Sequence, residues 1–142
     1  MAEILYKLKN YSDFPCKSNV TWLTENDMAK LNEHLILAGQ KPGKDDYLRE
    51  MQDKGIARYC LLYHHGIPVA RGAVEPYSNE MWEAADIRTV RAFRNKGFAK
   101  EILRFLSRYI IEHGKIATCR TEEDNFAMQN VIKSIGYGEM EQ

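Results

Sequence analysis

Hydrophobic and polar positions follow two different periods along the chain. Apolar residues alternate with polar ones in short runs such as residues 4–8, and a period of two predicts strands. Between residues 97 and 113 apolar residues recur three or four positions apart, which predicts an amphipathic helix. The pattern predicts strands at 4–8, 20–23, 56–64, 69–75, 81–90 and 116–120, and helices at 24–38, 45–54, 97–113 and 124–134.

The order of these elements predicts an α/β domain of the α+β type. Residues 56–64 and 69–75 flank a turn at His65-Gly66-Ile67-Pro68, so they predict a hairpin, and the strand at 81–90 extends it to three antiparallel strands. The order strand, helix, strand, helix from residue 81 to 134 predicts a parallel crossover. We therefore expect a mixed, mostly antiparallel sheet flanked by about four helices.

Length and composition narrow the class of protein. The 142 residues, 44% hydrophobic and 28% charged, predict one folded domain over residues 1–142. Twenty basic residues balance twenty acidic ones, which argues against a nucleic-acid partner. No apolar run approaches the roughly 20 residues of a membrane span, and the first six residues do not resemble a secretory signal. We expect a cytoplasmic protein with no membrane partner and with reduced thiols at Cys16, Cys60 and Cys119.

The segment from Arg91 to Ala99 concentrates cations between a predicted strand and a predicted helix. A helix N-terminus presents unpaired backbone N–H groups, and Gly97 lets a ligand approach the backbone closely. This arrangement favours a local anion site, such as one for a pyrophosphate. Taken alone, the loop is equally consistent with cations that only solvate a turn. The chain has neither a P-loop nor a dinucleotide-binding glycine fingerprint.

Two motifs in order carry a resemblance to a known family. The run Thr89-Val90-Arg91-Ala92-Phe93-Arg94-Asn95-Lys96-Gly97-Phe98-Ala99 resembles the R/Q-x-x-G-x-G/A acetyl-CoA loop of the GNAT N-acetyltransferase superfamily. Downstream, Asn125 opens a predicted helix that ends at Gly136-Tyr137. This arrangement resembles the second motif of that family. The resemblance covers residues 20–137, which leaves residues 1–19 as an extra N-terminal strand and loop.

The resemblance implies an acetyl-CoA or other acyl-CoA co-substrate and assigns residues to it. In the family the loop and its Arg bind the pyrophosphate, the fourth strand pairs with the pantetheine arm, and the sheet splays after that strand. Carried over, the cofactor-binding residues are Arg94, Asn95, Lys96, Gly97, Phe98, Ala99 and Asn125, with the backbone of Ile87, Arg88 and Thr89 along the arm.

The implied reaction is direct attack of a primary amine on the thioester in a ternary complex, which needs a base. Some members carry a Glu on the fourth strand at the position of Glu83, which by strand alternation shares a face with Ala85, Ile87 and Thr89. Glu83 is therefore the candidate base, with Glu75, Glu80 and Asp86 as nearby competitors. A solvent-facing strand residue is the alternative interpretation of Glu83.

The family's usual acid, a Tyr seven residues after the helix-opening Asn, is replaced by Ile132. Water or another group is expected to protonate the thiolate instead; Tyr77 and Tyr137 are candidates for that group, and aromatic packing is the alternative role for each. A small-molecule or peptide amine is the expected acceptor. A non-catalytic acyl-CoA-binding or regulatory module and a structural interaction domain remain as alternative functions.

The ends of the sequence and its histidines give two further expectations. Relatives usually continue after the position of Tyr137 into two more strands, so the strand at 4–8, or a strand from a second copy in a homodimer, is expected to cover the sheet edge. Adjacent strand residues such as His64 and His65 point to opposite faces and have no third ligand spaced for them, so no metal site is predicted.

Overall fold

The computed structural model describes residues 2–11 and 19–140, which form a seven-stranded mixed sheet with four α-helices. Residues 12–18 of the predicted N-terminal loop, which include Cys16, lie outside the described residues. The strands are β1 (Glu3–Leu8), β2 (Val20–Trp22), β3 (Arg58–His64), β4 (Ile67–Glu75), β5 (Met81–Thr89), β6 (Ile116–Glu122) and β7 (Tyr137–Glu139). The helices are α1 (Met28–Leu37), α2 (Tyr47–Asp53), α3 (Phe98–Glu112) and α4 (Phe126–Ile135).

The strand order is β2-β3-β4-β5-β6-β1-β7, and the expected mixed, mostly antiparallel sheet is confirmed. Only β5 and β6 pair in parallel among these neighbours, as the crossover through α3 predicts. The N-terminal strand β1 lies between β6 and β7 and pairs antiparallel with both. The chain's own first strand thus takes the place beside β6.

Helix α1 begins later than the sequence predicts. The carboxylate of Asp27 accepts hydrogen bonds from the backbone N–H of Thr24 at 2.7 Å and from its hydroxyl at 3.0 Å. Because Thr24 and Asp27 thereby hold a turn ahead of the helix, regular structure starts only at Met28. The hydrogen bond from the backbone of Thr24 is the main cause that lowers the pKa of Asp27.

The sheet packs an apolar core on each face. One core lies under α3 and α4 and includes Leu103, Leu106 and Ile132, and the other lies under α1 and α2 and includes Leu31 and Leu48. Helix α3 approaches β4 so closely at Gly72 that a Cβ there would lie 2.5 Å from Ile102 Cγ2. The missing side chain therefore sets how tightly α3 packs on the sheet.

Strands β5 and β6 diverge after a short paired segment. They pair only from Met81 to Glu83 with Ile116 to Thr118, although both strands continue further. The edge of β5 that faces β6 is therefore unpaired beyond Glu83, and a gap opens between the two strands. This is the splay expected after the family's fourth strand, which corresponds to β5.

A bulge at Asp86 interrupts the alternation of β5. Asp86 has φ of 50°, and the pairing with β4 shifts register between Arg71 and Ala73. Glu83 and Ala85 pair with Glu75 and Ala73 on the α1 and α2 face, whereas Ile87 packs in the core under α3. The prediction that Glu83 shares a face with Ile87 is therefore wrong, because an inserted residue reverses the side-chain direction beyond it.

Candidate active site

The loop between β5 and α3 presents a run of backbone N–H groups without partners. Asn95 and Gly97 adopt left-handed conformations, with φ of 65° and 85°, and Gly97 is the N-terminal cap of α3. The backbone N–H groups of residues 95–100 donate no hydrogen bond to any described residue, and the first cap bond runs from Glu101 N to Gly97 O. Six successive free donors at a helix N-terminus suit an anion.

Cations surround these donors without acidic partners. None of Arg88, Arg94, Lys96 and Lys100 forms an ion pair with a described residue. The side chain of Arg94 donates from Nε to Thr89 O at 3.3 Å, which fixes its guanidinium at the end of β5. The loop therefore carries a local positive charge in a chain whose formal net charge is zero.

A cavity of about 400 Å³, here called the loop cleft, lies in front of these groups. Nine of the ten predicted cofactor-binding residues line it, and Lys96 does not. It is lined by Ile87, Arg88, Thr89, Phe93, Arg94, Asn95, Gly97, Phe98, Ala99, Lys100, Asn125, Ala127, Met128 and Val131. Five of the lining residues were not predicted from the sequence: Phe93, Lys100, Ala127, Met128 and Val131. The spacing of Met128 and Val131 on α4 suggests only an apolar face.

Asn125 joins α4 to the loop cleft. Its side-chain oxygen accepts a hydrogen bond from Met128 N at 3.1 Å and caps α4. The cap fixes the orientation of the side-chain amide, and Asn125 lines both the loop cleft and a second cavity beside it. Its structural role is therefore compatible with contact to a ligand that passes between the two.

The second cavity, here called the acidic cavity, has a volume of about 530 Å³ and occupies the gap between β5 and β6. Five carboxylates line it, from Glu3, Glu75, Glu83, Asp86 and Glu122, together with the guanidinium of Arg120. The acidic cavity shares Ile87, Asn125 and Met128 with the loop cleft. A ligand with a long arm can therefore reach from one to the other.

Glu83 and Glu75 face each other on β5 and β4 but differ in their partners. Glu83 is 6% exposed, and its Oε1 accepts a hydrogen bond from Arg120 Nε at 2.9 Å. The side chain of Glu75 has no hydrogen-bond or ion-pair partner among the described residues. Burial, followed by the charges of Glu83 and Asp86, raises the pKa of Glu75. Glu80, the third competitor, is exposed and does not line either cavity.

A hydrogen-bond network that includes the buried Arg71 holds the exposed Asp86 in its unusual conformation. Arg71 donates from Nη2 to Asp86 Oδ1 at 3.0 Å and from Nε to Oδ2 at 3.2 Å, and Tyr59 donates to Oδ2 at 3.1 Å. Behind Arg71, the buried His34 contacts the Pro68 carbonyl through Nδ1 and Arg71 through Nε2. Burial lowers the pKa of His34, so a neutral ring donates to Pro68 and accepts from Arg71. This network stabilises the bulge.

The tyrosines suggested as proton donors lie outside both cavities. Tyr137 is 4% exposed, and its hydroxyl lies 2.6 Å from Ser107 Oγ on α3. Tyr77 is half exposed, and its hydroxyl lies 3.0 Å from Thr118 Oγ1, next to the paired end of β5. Ile132 is fully buried in the core. Cys119 does line the acidic cavity, but burial raises the pKa of its thiol to about 12.

His64 and His65 lie side by side at the end of β3. The rings of His64 and His65 lie 4.1 Å apart, because His65 has φ of 52° in the turn after β3, so the expectation that they point to opposite faces is wrong. Within residues 2–11 and 19–140, no group of three or more His, Cys, Asp or Glu side chains is placed to hold a metal ion.

None of the helices described here is both long and apolar enough to cross a membrane.

A family model matches most of the chain. The model of the acetyltransferase (GNAT) family matches residues 26–137, which include both cavities except for Glu3. A comparison with curated protein sequences gives no match.

Solved structures share the fold at low sequence identity. A putative GNAT-family acetyltransferase from Novosphingobium aromaticivorans superposes with a TM-score of 0.74 at 14% identity, over 97% of this chain and 59% of that one. A GNAT-family acetyltransferase from Colwellia psychrerythraea gives 0.75 at 16% identity, over 96% and 52%. The chain thus spans 52–59% of the length of these two structures. The structure of AAC(6')-Iy in complex with the bisubstrate analogue CoA-S-monomethyl-acetylneamine gives 0.69 at 16% identity, over 87% and 92%.

Proposed function

The chain belongs to the GNAT family of acetyltransferases, and we propose that it transfers the acetyl group of acetyl-CoA to a primary amine. One observation carries the proposal: the loop that borders the cleft has backbone N–H groups and cations without partners among the described residues, and this cleft continues into a cavity of carboxylates. The first environment suits a pyrophosphate and the second suits an amine. The family match supports acyl transfer as the reaction that joins them.

The residues present fit coenzyme A. The N–H groups of residues 95–100 and the guanidinium of Arg94 would bind the pyrophosphate, whose negative charge the helix N-terminus favours. Beyond Glu83, the edge of β5 that faces β6 has no strand partner, and its backbone at Ile87 and Thr89 would bind the amides of the pantetheine arm, with Thr89 O also accepting from Arg94 Nε. When bound, the cofactor supplies an acetyl thioester as the activated acyl donor.

The carboxylates of the acidic cavity would prepare the amine. An ammonium group must lose a proton before its nitrogen can form a bond to the thioester carbon while the carbon–sulfur bond breaks. Glu83, the base predicted from the sequence, is held by Arg120, whereas Glu75 has no such partner and a raised pKa. We therefore assign proton acceptance to Glu75, directly or through a water molecule, and positioning of the amine to Glu83. Water would protonate the leaving thiolate, because the side chain of Tyr137 is buried in the core.

The likeness to AAC(6')-Iy supports simultaneous binding of the two substrates. That protein has this fold and was solved with an analogue that joins coenzyme A to an acetylated amine. In the present chain the loop cleft and the acidic cavity adjoin along Ile87 and Met128, which suits a ternary complex with direct attack.

Release of free thiol from acetyl-CoA, measured with a panel of primary amines, tests the proposal. We expect amine-dependent thiol release, and a fall of about 10²–10⁴-fold in kcat for Glu75→Gln, the range for loss of a general base. Glu33→Gln, on the exposed face of α1 and away from both cavities, is the matched control and should retain the rate. Binding of acetyl-CoA without thiol release for any amine would favour the non-catalytic module instead.

A further inference from the structure

The carboxylates of the acidic cavity stand on two facing walls. Glu75, Glu83 and Asp86 come from β4 and β5 on one side of the gap, and Glu3 and Glu122 come from β1 and β6 on the other. Glu3 and Glu122 are exposed, whereas Glu83 is buried. The negative charge therefore extends from the inner end of the cavity to its rim.

Two pairs of these carboxylates are direct neighbours across strands. Glu75 is the register partner of Glu83, and Glu3 is the register partner of Glu122. Like charges placed opposite each other in a sheet are destabilising. Arg120 and Arg71 compensate Glu83 and Asp86, but Glu3, Glu75 and Glu122 form no ion pair with any described residue. Three carboxylates without an ion-pair partner among the described residues are thus distributed over the two walls of the cavity.

The charge of the adjoining loop cleft has the opposite sign. Arg88, Arg94 and Lys100 line the loop cleft, while Arg120 is the one cation among the residues that line the acidic cavity. A single anionic ligand would suit the first and be repelled by the second. The residues that both share include the apolar Ile87 and Met128, which suit methylene groups.

Resting on the proposed transfer reaction, we propose that the acceptor is a small linear polyamine that carries a second ammonium group. One amine would lie between Glu75 and Glu83, next to the thioester, and the other would bind near Glu3 and Glu122 on the facing wall. Each ammonium group would relieve one of the two like-charge pairs. An acceptor with a carboxylate, such as a free amino acid, would be repelled by the same residues.

Two probes of equal chain length isolate the second ammonium group. With acetyl-CoA saturating, kcat/KM is measured for 1,4-diaminobutane and for butylamine, which lacks only the second amine. We expect a preference for the diamine of about tenfold or more, the scale of one good ionic contact. The preference should fall with added salt, because the rim carboxylates are exposed.

The double variant Glu3→Gln/Glu122→Gln should reduce this preference to about two-fold or less. Glu123→Gln is the matched control, since it removes one negative charge directly beside Glu122 but does not line the cavity. It should keep the preference of the wild type. Circular dichroism of all variants checks that they fold alike.

Direct binding separates this inference from the proposed reaction. Spermidine titrated into the protein should release binding heat that the double variant loses, whether or not thiol release occurs. No heat with spermidine, equal kcat/KM for butylamine and 1,4-diaminobutane, or preference for a lysine-containing peptide over both amines would each overturn the polyamine assignment. Thiol release with butylamine in those cases would leave the proposed reaction intact, whereas loss of acetyl-CoA binding would refute the reaction itself.

Discussion

Replacing Gly97 by alanine tests the loop, because its backbone cost and its ligand contact can be measured separately. Gly97 has φ of 85° and ψ of 8°, and a Cβ at this position would meet no atom within 4 Å. Steric conflict with the protein is therefore absent, and the expected loss comes from the left-handed conformation alone, about 1–2 kcal/mol in the free energy of unfolding. Gly114, beyond the other end of α3, has φ of 73° and equally open space, so Gly114→Ala should lose a similar amount.

Binding should distinguish the two variants. The methyl group of Gly97→Ala would enter the space of the loop cleft, and relief of the left-handed backbone would turn neighbouring N–H groups away. We expect acetyl-CoA binding at least about tenfold weaker, or about 1.4 kcal/mol, with Gly114→Ala at wild-type affinity. Urea unfolding and isothermal titration calorimetry measure the two quantities. Equal affinity for acetyl-CoA in both variants would refute the role assigned to the loop.

Two further predictions concern buried groups. Tyr137→Phe breaks the 2.6 Å hydrogen bond to Ser107 and should lower the free energy of unfolding by about 1–2 kcal/mol. Tyr6→Phe should leave it unchanged or raise it by up to about 1 kcal/mol, since the buried Tyr6 hydroxyl has no hydrogen-bond partner among the described residues. Glu75→Gln should stabilise the fold at neutral pH, because the raised pKa of Glu75 means that its ionised form destabilises the folded state.

Denaturant unfolding measures all three variants, and the two tyrosine variants serve as controls for each other. Equal losses for both would contradict the distinction between a bonded and an unbonded hydroxyl. The contribution of Glu75 to the free energy of unfolding is fully present at pH values below the pKa of Glu75 in the unfolded chain. It is lost as the pH rises through the pKa of Glu75 in the folded protein. The gain of Glu75→Gln over wild type should therefore vanish in acid and grow through that window, and a gain that is constant with pH would speak against the raised pKa.

Local patterns predicted most elements because each carried its own signals. The amphipathic spacing of α3 and the glycines at its ends fixed its limits to within one residue. Strand β7 was missed, because its three residues are held by pairing with β1 rather than by their own pattern. Partners more than 120 residues apart leave no mark in a short window of sequence.

The bulge in β5 shows the same limit at the site. Strand alternation predicts the side-chain directions of β5 up to Asp86, where Arg71 and Tyr59 hold a left-handed residue within the strand. Asp tolerates that conformation better than most residues, but an Asp in a strand pattern does not by itself predict it. The direction of Ile87 therefore depends on contacts that only the folded chain provides.

The lining residues of the loop cleft are easier to predict from the sequence than those of the acidic cavity. One side of the loop cleft consists of contiguous residues between Arg94 and Ala99, so a local motif predicts it, whereas Met128 and Val131 on the α4 side were missed. The acidic cavity gathers Glu3, Glu75 and Glu122 from distant parts of the chain, and only the pairing of β1 with β6 brings the first and last together. The negative charge of the acidic cavity could not be predicted from the sequence, because its carboxylates lie far apart along the chain.

The most direct test of the account is the affinity for acetyl-CoA of Arg94→Ala against Arg49→Ala, measured by isothermal titration calorimetry. Arg94 lies in the loop cleft, whereas Arg49 is an exposed residue of α2 outside both cavities. We expect wild type and Arg49→Ala to bind alike and Arg94→Ala to bind at least about tenfold more weakly. No binding heat with wild-type protein, or identical affinities for all three, would contradict a coenzyme A site at this loop.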